Sequence, residues 1–417
     1  MNRWFRLAAT AVAMIMIANF QYAWTLFVKP IIGAHTAQGW KLSDVQWAFS
    51  IFIACQTWFM PSAGWMIDKV GPRQFMTLGG LFCGVGWAML SQVNSLPALY
   101  AFYALTGLGA ALVYCGSMGV ALKWFPDKRG LAAGITAAAY GSGTALFIPL
   151  IAHLLKSDGY QTTFLYTGIG QGLLIMCAAQ FLRSPKPHEV TAAPPRAIIR
   201  SRGEDFTPGQ MMRTPHFYIM YLTMFVMGVG GLMVTAQLAK LADTFRVATA
   251  LTFAATMNPI ANGSSRLFWG WVSDHIGREK TMVIAFLIQS AALVSVPILA
   301  PGSTTFFILC LALVYFSWGE IYSLFPSLTA DLFGSKNASA NYGFLYSTKG
   351  VAAIVGGGLA AMLFEKTGSW NVVFYGSAVL AFGAALMAIG LFKMPLPRKP
   401  HTAALEPVEA RRQAARG

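Results

Sequence analysis

Two of the thirty basic residues in this chain, Arg266 and Lys349, lie well inside apolar segments of membrane-spanning length. The others fall in loops, termini or helix ends. A cation in hydrocarbon costs several kcal/mol unless it faces a bundle interior or a watery cavity and meets an anion, so an intramembrane ionisable residue marks a functional site. Only one acidic residue, Glu320, lies deep in an apolar segment, and one carboxylate cannot neutralise two cations. The missing anion is therefore expected to be a bound solute. Arginine offers a planar fork matched to a carboxylate, and lysine a compact point charge.

The segments that must position these two cations are legible from composition. Of 417 residues, 56% are hydrophobic and 11% charged, and the mean hydropathy is +0.55. Soluble domains carry about 25% charged residues, so the chain reads as an all-α, multi-pass membrane protein. About twelve apolar segments are long enough to cross a bilayer core: roughly 4–28, 44–67, 75–93, 98–122, 131–153, 163–182, 216–238, 248–272, 281–300, 305–329, 341–364 and 372–392. The N-terminal segment is too long for a signal-peptide core and is expected to remain as the first span. A Pro- and Arg-rich stretch, 183–215, divides the spans six and six, giving an N-terminal bundle over 1–182, a linker, a C-terminal bundle over 216–393 and a tail over 394–417.

The net charge of +15 does not point to nucleic acid. About 22 basic residues lie in the termini, the linker and one set of loops, against about six in the opposite loops. By the positive-inside rule this places both termini in the cytoplasm of a cell (inner) membrane protein. The five cysteines all lie in apolar segments without metal-ligand spacing, so free buried thiols are expected, and neither metal nor cofactor. The expected partners are the lipid bilayer and the solute, with the protein acting as a monomer.

The two halves repeat. Gly64-Trp-Met-Ile-Asp68-Lys-Val-Gly71-Pro-Arg73 follows the second span, and Gly270-Trp-Val-Ser-Asp274-His-Ile-Gly277-Arg278 follows the eighth. Glycine permits the tight turn and a close helix approach, and the carboxylate can pair with basic groups or helix N-termini. A latching role is expected for Asp68, Arg73, Asp274 and Arg278. These paired loops resemble the loop signature of the major facilitator superfamily, which implies twelve transmembrane helices in two six-helix pseudo-repeat bundles. Duplicated carriers of this kind hold their site between the halves near the midplane.

Measured along their segments, Arg266 and Lys349 both lie about 10–13 Å from the basic ends of the eighth and eleventh spans, so one small anion could meet both. Polar and aromatic residues gather in the segments expected to line a cavity: Gln21, Tyr22 and Trp24, then Tyr114, Tyr140, Trp318, Tyr322 and Tyr346. Trp318 and Tyr322 share a face at i, i+4, and Tyr346 stands one turn before Lys349. Glu320, two residues from Trp318, points to another face and is a candidate proton or charge partner. Glycines in the fourth, fifth and eleventh spans need only close packing as their reason, and Pro326 is expected to kink the tenth.

Over nearly its whole length the chain resembles the oxalate:formate antiporter family of that superfamily. The matching stretches include Asn2-Arg-Trp-Phe, Gln21-Tyr-Ala-Trp-Thr-Leu, Asp68-Lys-Val-Gly-Pro-Arg, Trp124-Phe-Pro-Asp-Lys-Arg-Gly-Leu-Ala, Arg266-Leu-Phe-Trp-Gly-Trp-Val-Ser-Asp and Asn341-Tyr-Gly-Phe. The resemblance implies that Arg266 and Lys349 bind the two ends of a small dicarboxylate, with Gln21, Tyr22, Tyr114, Tyr140, Trp318 and Tyr322 on the lining. Tyr346 stands where the family pattern has tryptophan, and Glu320 where it has glycine. Exchange of small carboxylates such as oxalate and formate by alternating access is the expected function. A proton-coupled monocarboxylate symporter is the alternative; related symporters carry an aspartate four residues before the arginine, where this chain has Asn262. A non-transporting anion sensor is a further alternative, and no nucleophile–base pair or nucleotide loop points to an enzyme.

Overall fold

The computed structural model describes residues 2–186, 188–190, 200–201 and 203–399. Among them the chain forms twelve helical rods: α1 (3–34), α2 (42–70), α3 (Pro72–Gln92), α4 (Leu96–Trp124), α5 (Arg129–Ser157), α6 (Gly159–Ala179), α7 (Pro215–Thr244), α8 (Leu251–Ile276), α9 (Arg278–Leu299), α10 (Thr304–Phe333), α11 (Ala338–Thr367) and α12 (Asn371–Lys393). Ten of them contain a stretch long and apolar enough to count as a membrane span by composition. The other two are α2, which is interrupted, and α8, which carries Asn262, Ser264, Ser265, Arg266 and Asp274. The rods outrun the apolar segments by several residues at the basic end, because polar residues continue the helices into the interfacial layer.

The first six rods pack mainly on one another, α1 on α5 and α3 on α4 and α6, and the last six likewise, α9 on α12 and α10. The halves meet through α5 against α8 and α2 against α11. Both contacts are backbone-close. A Cβ on Gly64 of α2 would lie 2.4 Å from the Ser339 carbonyl oxygen, and one on Gly130 of α5 2.2 Å from that of Gly270.

The repeated loops close the end of the molecule that carries the basic loops. Both turns run through a glycine at positive φ, Gly71 at +121° and Gly277 at +97°, a region that a side chain rarely adopts. The carboxylates they deliver cross between halves. Asp68 pairs with Lys123 at 2.6 Å and accepts from the Ala340 amide at 2.8 Å, at the start of α11. Asp274 accepts from the Gly130 and Leu131 amides at 3.0 and 2.8 Å, at the start of α5. Each half thus caps a helix N-terminus of the other, where free amides and the helix dipole favour a negative charge. Arg278 joins Asp274 at 2.7 Å and Asp331 at 2.9 Å, and Asp331 reaches Arg129 of the first half at 2.5 Å.

Two expectations change here, for Arg73 and for the cysteines, and α10 also breaks at a place the sequence did not mark. Arg73 takes no part in the inter-half network: its Nε donates to Gln180 Oε1 of α6 at 2.9 Å, on the exposed flank of the first half. The reason is register: Arg278 directly follows Gly277, whereas Arg73 stands one place further from Gly71, behind Pro72, and so about 100° further round its helix. Pro326 does not set the break in α10, which falls at Gly319–Glu320; the helix Ile321–Phe333 runs through the proline. The thiols of Cys55 and Cys177 are half-buried and exposed, while Cys83, Cys115 and Cys310 are buried as expected.

Part of the linker is built into the second half. Phe206, fully buried, donates its amide to the Phe333 carbonyl at 2.8 Å, and its own carbonyl accepts from Asn337 and Asn341. Residues 187, 191–199 and 202 of the linker and 400–417 of the tail lie outside the described residues.

Replacing Asp331 by asparagine leaves the buried guanidinium groups of Arg129 and Arg278 without their shared carboxylate. Breaking a buried pair on one side costs about 3 kcal/mol. Asp331→Asn is therefore expected to raise maleimide labelling of a reporter Ser339→Cys by about a hundredfold; an unchanged labelling rate would show that the network does not hold this end shut.

Candidate functional site

Four rods are interrupted, and each interruption lies beside candidate site residues. α1 breaks at Ala23, next to Gln21 and Tyr22. α2 breaks at Phe59, three residues beyond Gln56, where Pro61 in the first turn of the next piece lacks an amide proton. α10 breaks between Trp318 and Tyr322. α11 breaks at Ser347, two residues before Lys349, and continues into a π-helical turn at Val355–Leu359. Interrupted helices inside a membrane are tolerated only where the freed backbone is packed in protein or lines a cavity. Gln237 of α7 illustrates this, donating to the Gly357 carbonyl at 2.9 Å.

Arg266 lies ten residues before the end of α8 at Ile276, and Lys349 eleven residues after the start of α11 at Ala338. At 1.5 Å per residue both are about 15–17 Å from the basic face, near the middle of a ~30 Å hydrocarbon core. They are deeper than the sequence indicated because both helices extend further than their apolar stretches. Both side chains are buried, and neither forms an ion pair among the described residues.

The Arg266 guanidinium is held on three sides. One nitrogen donates to the Ala137 carbonyl of α5 at 2.8 Å, another to Asn262 Oδ1 one turn back at 2.5 Å, and Tyr322 lies under the plane at 4.4 Å. Nε and Asn262 Nδ2 have no partner among the described residues. α5 can come this near because Gly141 has no side chain: a Cβ there would sit 3.1 Å from the guanidinium carbon. The cation is therefore fixed in direction without being neutralised, with a donor left over.

Lys349 is held by oxygens that carry no full charge. Its Nζ donates to Tyr346 Oη at 3.1 Å and to Gln21 Oε1 at 3.4 Å, across the interface between halves. The Tyr140 hydroxyl donates to the same Gln21 oxygen, and Gln56 Nε2 donates to Tyr140 Oη at 3.0 Å. Tyrosine rings continue the enclosure: Tyr114 meets Tyr140 at 5.3 Å and Tyr346 at 4.7 Å, Tyr22 meets Tyr140 at 5.8 Å, and Tyr346 meets Tyr322 at 6.1 Å.

Of the residues singled out from the sequence, Arg266, Lys349, Gln21, Tyr22, Tyr114, Tyr140, Tyr322 and Tyr346 come together in this one cluster. Trp318 stands at its edge, 5.8 Å from Tyr322 and pressed onto Gly231 of α7. Trp24 points elsewhere, stacked on Tyr103 inside the first half at 4.2 Å. Glu320 is fully buried and neither of its oxygens has a partner among the described residues, so it pairs with neither cation. Gln56 was missed, although a lone amide in the middle of an apolar helix was its visible signal. Tyr342, 5.7 Å from Tyr346 on the same face of α11, was also missed.

A family model described as Major Facilitator Superfamily matches residues 7–246 and 220–416. The chain is 39% identical over 400 residues to the oxalate:formate antiporter of Oxalobacter formigenes, covering 96% of this chain and 93% of that one. It is 24% identical over 360 residues to monocarboxylate transporter 13 of Rattus norvegicus, covering 84% and 81% respectively. The solved structure of the human organic anion transporter MFSD10 (TETRAN) superposes with a TM-score of 0.73 at 17% identity, over 93% of this chain and all of that one; it bears on fold alone.

Asn262 sets the direction of the Arg266 fork, and a hydrogen bond to a charged group is worth about 1.5–3 kcal/mol. Asn262→Ala is expected to weaken anion binding by about tenfold, measured by isothermal titration with purified protein; full affinity in this variant would mean that Arg266 is positioned by Ala137 and Tyr322 alone.

Proposed function

Since this chain belongs to the Major Facilitator Superfamily and, within it, to the oxalate:formate antiporter family, we propose that it exchanges small carboxylate anions of the oxalate and formate kind by alternating access, with Arg266 and Lys349 as the binding pair. The observation that carries the site is their shared condition. Two midplane cations on α8 and α11 are oriented by neutral oxygens, and neither has a carboxylate partner among the described residues. A carboxylate between them supplies the charge that Ala137, Asn262, Gln21 and Tyr346 do not. The tyrosine walls admit a small planar anion and offer hydroxyls to its oxygens. The basic face is taken as cytoplasmic, in keeping with the positive-inside rule, in a cell membrane.

Exchange follows from electrostatics. When the halves rock, an empty site carries two uncompensated cations through a closed, low-dielectric state, at a cost of several kcal/mol. A bound anion removes that cost, so the loaded carrier crosses and the empty one does not. Because Lys349 reaches Gln21 of the other half, an arriving anion also competes directly for a contact between the halves.

Proton-coupled symport is the competing reading. Asn262 occupies the position beside Arg266 where an aspartate could take a proton, and its oxygen accepts from the arginine instead. Glu320, the remaining intramembrane acid, contacts neither cation.

In proteoliposomes, Arg266→Gln and Lys349→Gln are each expected to lower oxalate–formate counterflow by about a hundredfold or more, the loss of a bidentate or charge-assisted contact worth about 3 kcal/mol, while the purified protein keeps its helical circular dichroism. Near-normal counterflow in either variant overturns the assignment. Counterflow should also proceed unaltered without a pH gradient and in Glu320→Gln; uptake that needs an inward proton gradient and Glu320 would establish symport.

A further inference from the structure

Arg73 belongs to the repeated loop but not to the network that closes the basic face, and it makes no ion pair among the described residues. In the second copy the arginine, Arg278, directly follows the glycine and is buried between two carboxylates, whereas Arg73 stands one place further on and is exposed. Nε is spent on Gln180 Oε1, and Gln180 in turn donates to Thr77 Oγ1 at 3.0 Å and to the Met176 carbonyl at 2.9 Å. This bracing fixes the guanidinium against α6 and leaves its terminal nitrogens without an acceptor among the described residues.

Directly along the same flank runs a wholly apolar groove of about 240 Å³ between α3 and α6. Its floor exists because glycines bring the helices into backbone contact: a Cβ on Gly172 would lie 2.7 Å from Gly84 Cα, and one on Gly84 3.2 Å from the Gly168 carbonyl oxygen. Its walls are Leu81, Val85, Ile169 and Leu173, each more than 40% exposed and so facing the surrounding bilayer. Arg73, Thr77, Gly80 and Gly84 follow one another at helical spacing along α3, and Gln180 stands one turn beyond Met176 of the groove on α6. The groove begins at Gly80, about 10 Å along α3 from Arg73, and runs about 14 Å further to Met89, so a headgroup at Arg73 on the basic side sends an extended acyl chain into its near end and past the middle of a ~30 Å hydrocarbon core.

We propose that this flank is a binding site for a single anionic phospholipid, with an acyl chain in the α3–α6 groove and the headgroup phosphate on the free edge of Arg73. Guanidinium and phosphate match as planar fork and acceptor, and long basic side chains reach the interface while their stems lie on apolar surface. The charge selects an anionic headgroup over a zwitterionic one. A carboxylate beside the phosphate would favour a zwitterionic headgroup's ammonium, but Asp68, the acid of the same loop, is already taken by Lys123 and the Ala340 amide. The lipid would clasp α3 to α6 directly below the loop that delivers Asp68 to the opposite half.

Delipidated full-length protein, incubated with equal amounts of dioleoyl-phosphatidylglycerol and dioleoyl-phosphatidylcholine and examined by native mass spectrometry, tests this. Wild type should retain one phosphatidylglycerol with about fivefold preference, the contribution of one basic residue at an anionic surface. Arg73→Gln should remove the preference, while Arg213→Gln, another exposed arginine, should keep it. Equal retention of both lipids by wild type, an unchanged preference in Arg73→Gln, or an equal loss in Arg213→Gln each overturns the proposal. Millimolar glycerol 3-phosphate should fail to displace the bound lipid; displacement would show that the groove contributes nothing and overturn the acyl-chain half of the site.

Discussion

The burial of two unneutralised cations is the constraint on which the rest of this structure depends. A charge near the bilayer midplane is tolerable only when its hydration is replaced by oriented dipoles. Here the replacements are a backbone carbonyl, an amide, a tyrosine hydroxyl and aromatic faces. Each orients the cation without cancelling it, so the site stays charged toward a ligand. The same need explains where the helices break. Gln21, Gln56, Tyr322 and Lys349 all lie close to an interruption, which brings side chains from four rods to one level. The approach of α5 to Arg266 likewise needs Gly134 and Gly141, since a Cβ at either would press on the α8 backbone or the guanidinium.

Closure at the basic face uses the opposite solution. There the charges are fully matched: Asp68 with Lys123, and Asp274 and Asp331 with Arg278 and Arg129. Asp68 and Asp274 also cap helix starts in the opposite half, and Asp331 reaches Arg129 there, so these interactions exist only while the halves are together. A matched network that crosses the interface can hold one closed arrangement. An unmatched pair at the centre can make the next arrangement depend on the solute. The two-fold repeat of the loop supplies a latch on each side of the interface, and the arginine's place, next to Gly277 in one copy but one residue further from Gly71 in the other, breaks the symmetry.

Much of the fold was legible because hydrocarbon imposes a simple rule. About twenty apolar residues span it, and charges collect on one side. The repeated loops were equally visible, since Gly71 and Gly277 at positive φ and the acids before them are fixed in spacing by one turn of chain. Less visible were features decided by neighbours. The depth of Arg266 and Lys349 was underestimated because polar residues extend α8 and α11 past their apolar cores. A break in α10 was not foreseen: it falls at Gly319–Glu320, where Gly319 sits against Asn262 and Ser265 of α8 and Trp318 presses on Gly231 of α7. Periodicity along one helix contains no record of such contacts.

Sequence alone determined that this is a duplicated bundle of membrane helices with two misplaced cations, because hydropathy, charge asymmetry and repetition are properties of the chain itself. It also pointed to the tyrosines that surround those cations. Only the tertiary structure decided which oxygens hold each cation, that Gln56 belongs with Tyr140, that Glu320 belongs with neither charge, and that Arg73 reaches Gln180 on the flank of the first half instead of the latch. The physical reason is distance: Lys349 and Gln21 are 328 residues apart in the chain yet share a hydrogen bond. Such a contact is selected by the packing of two half-molecules, and no local pattern encodes it.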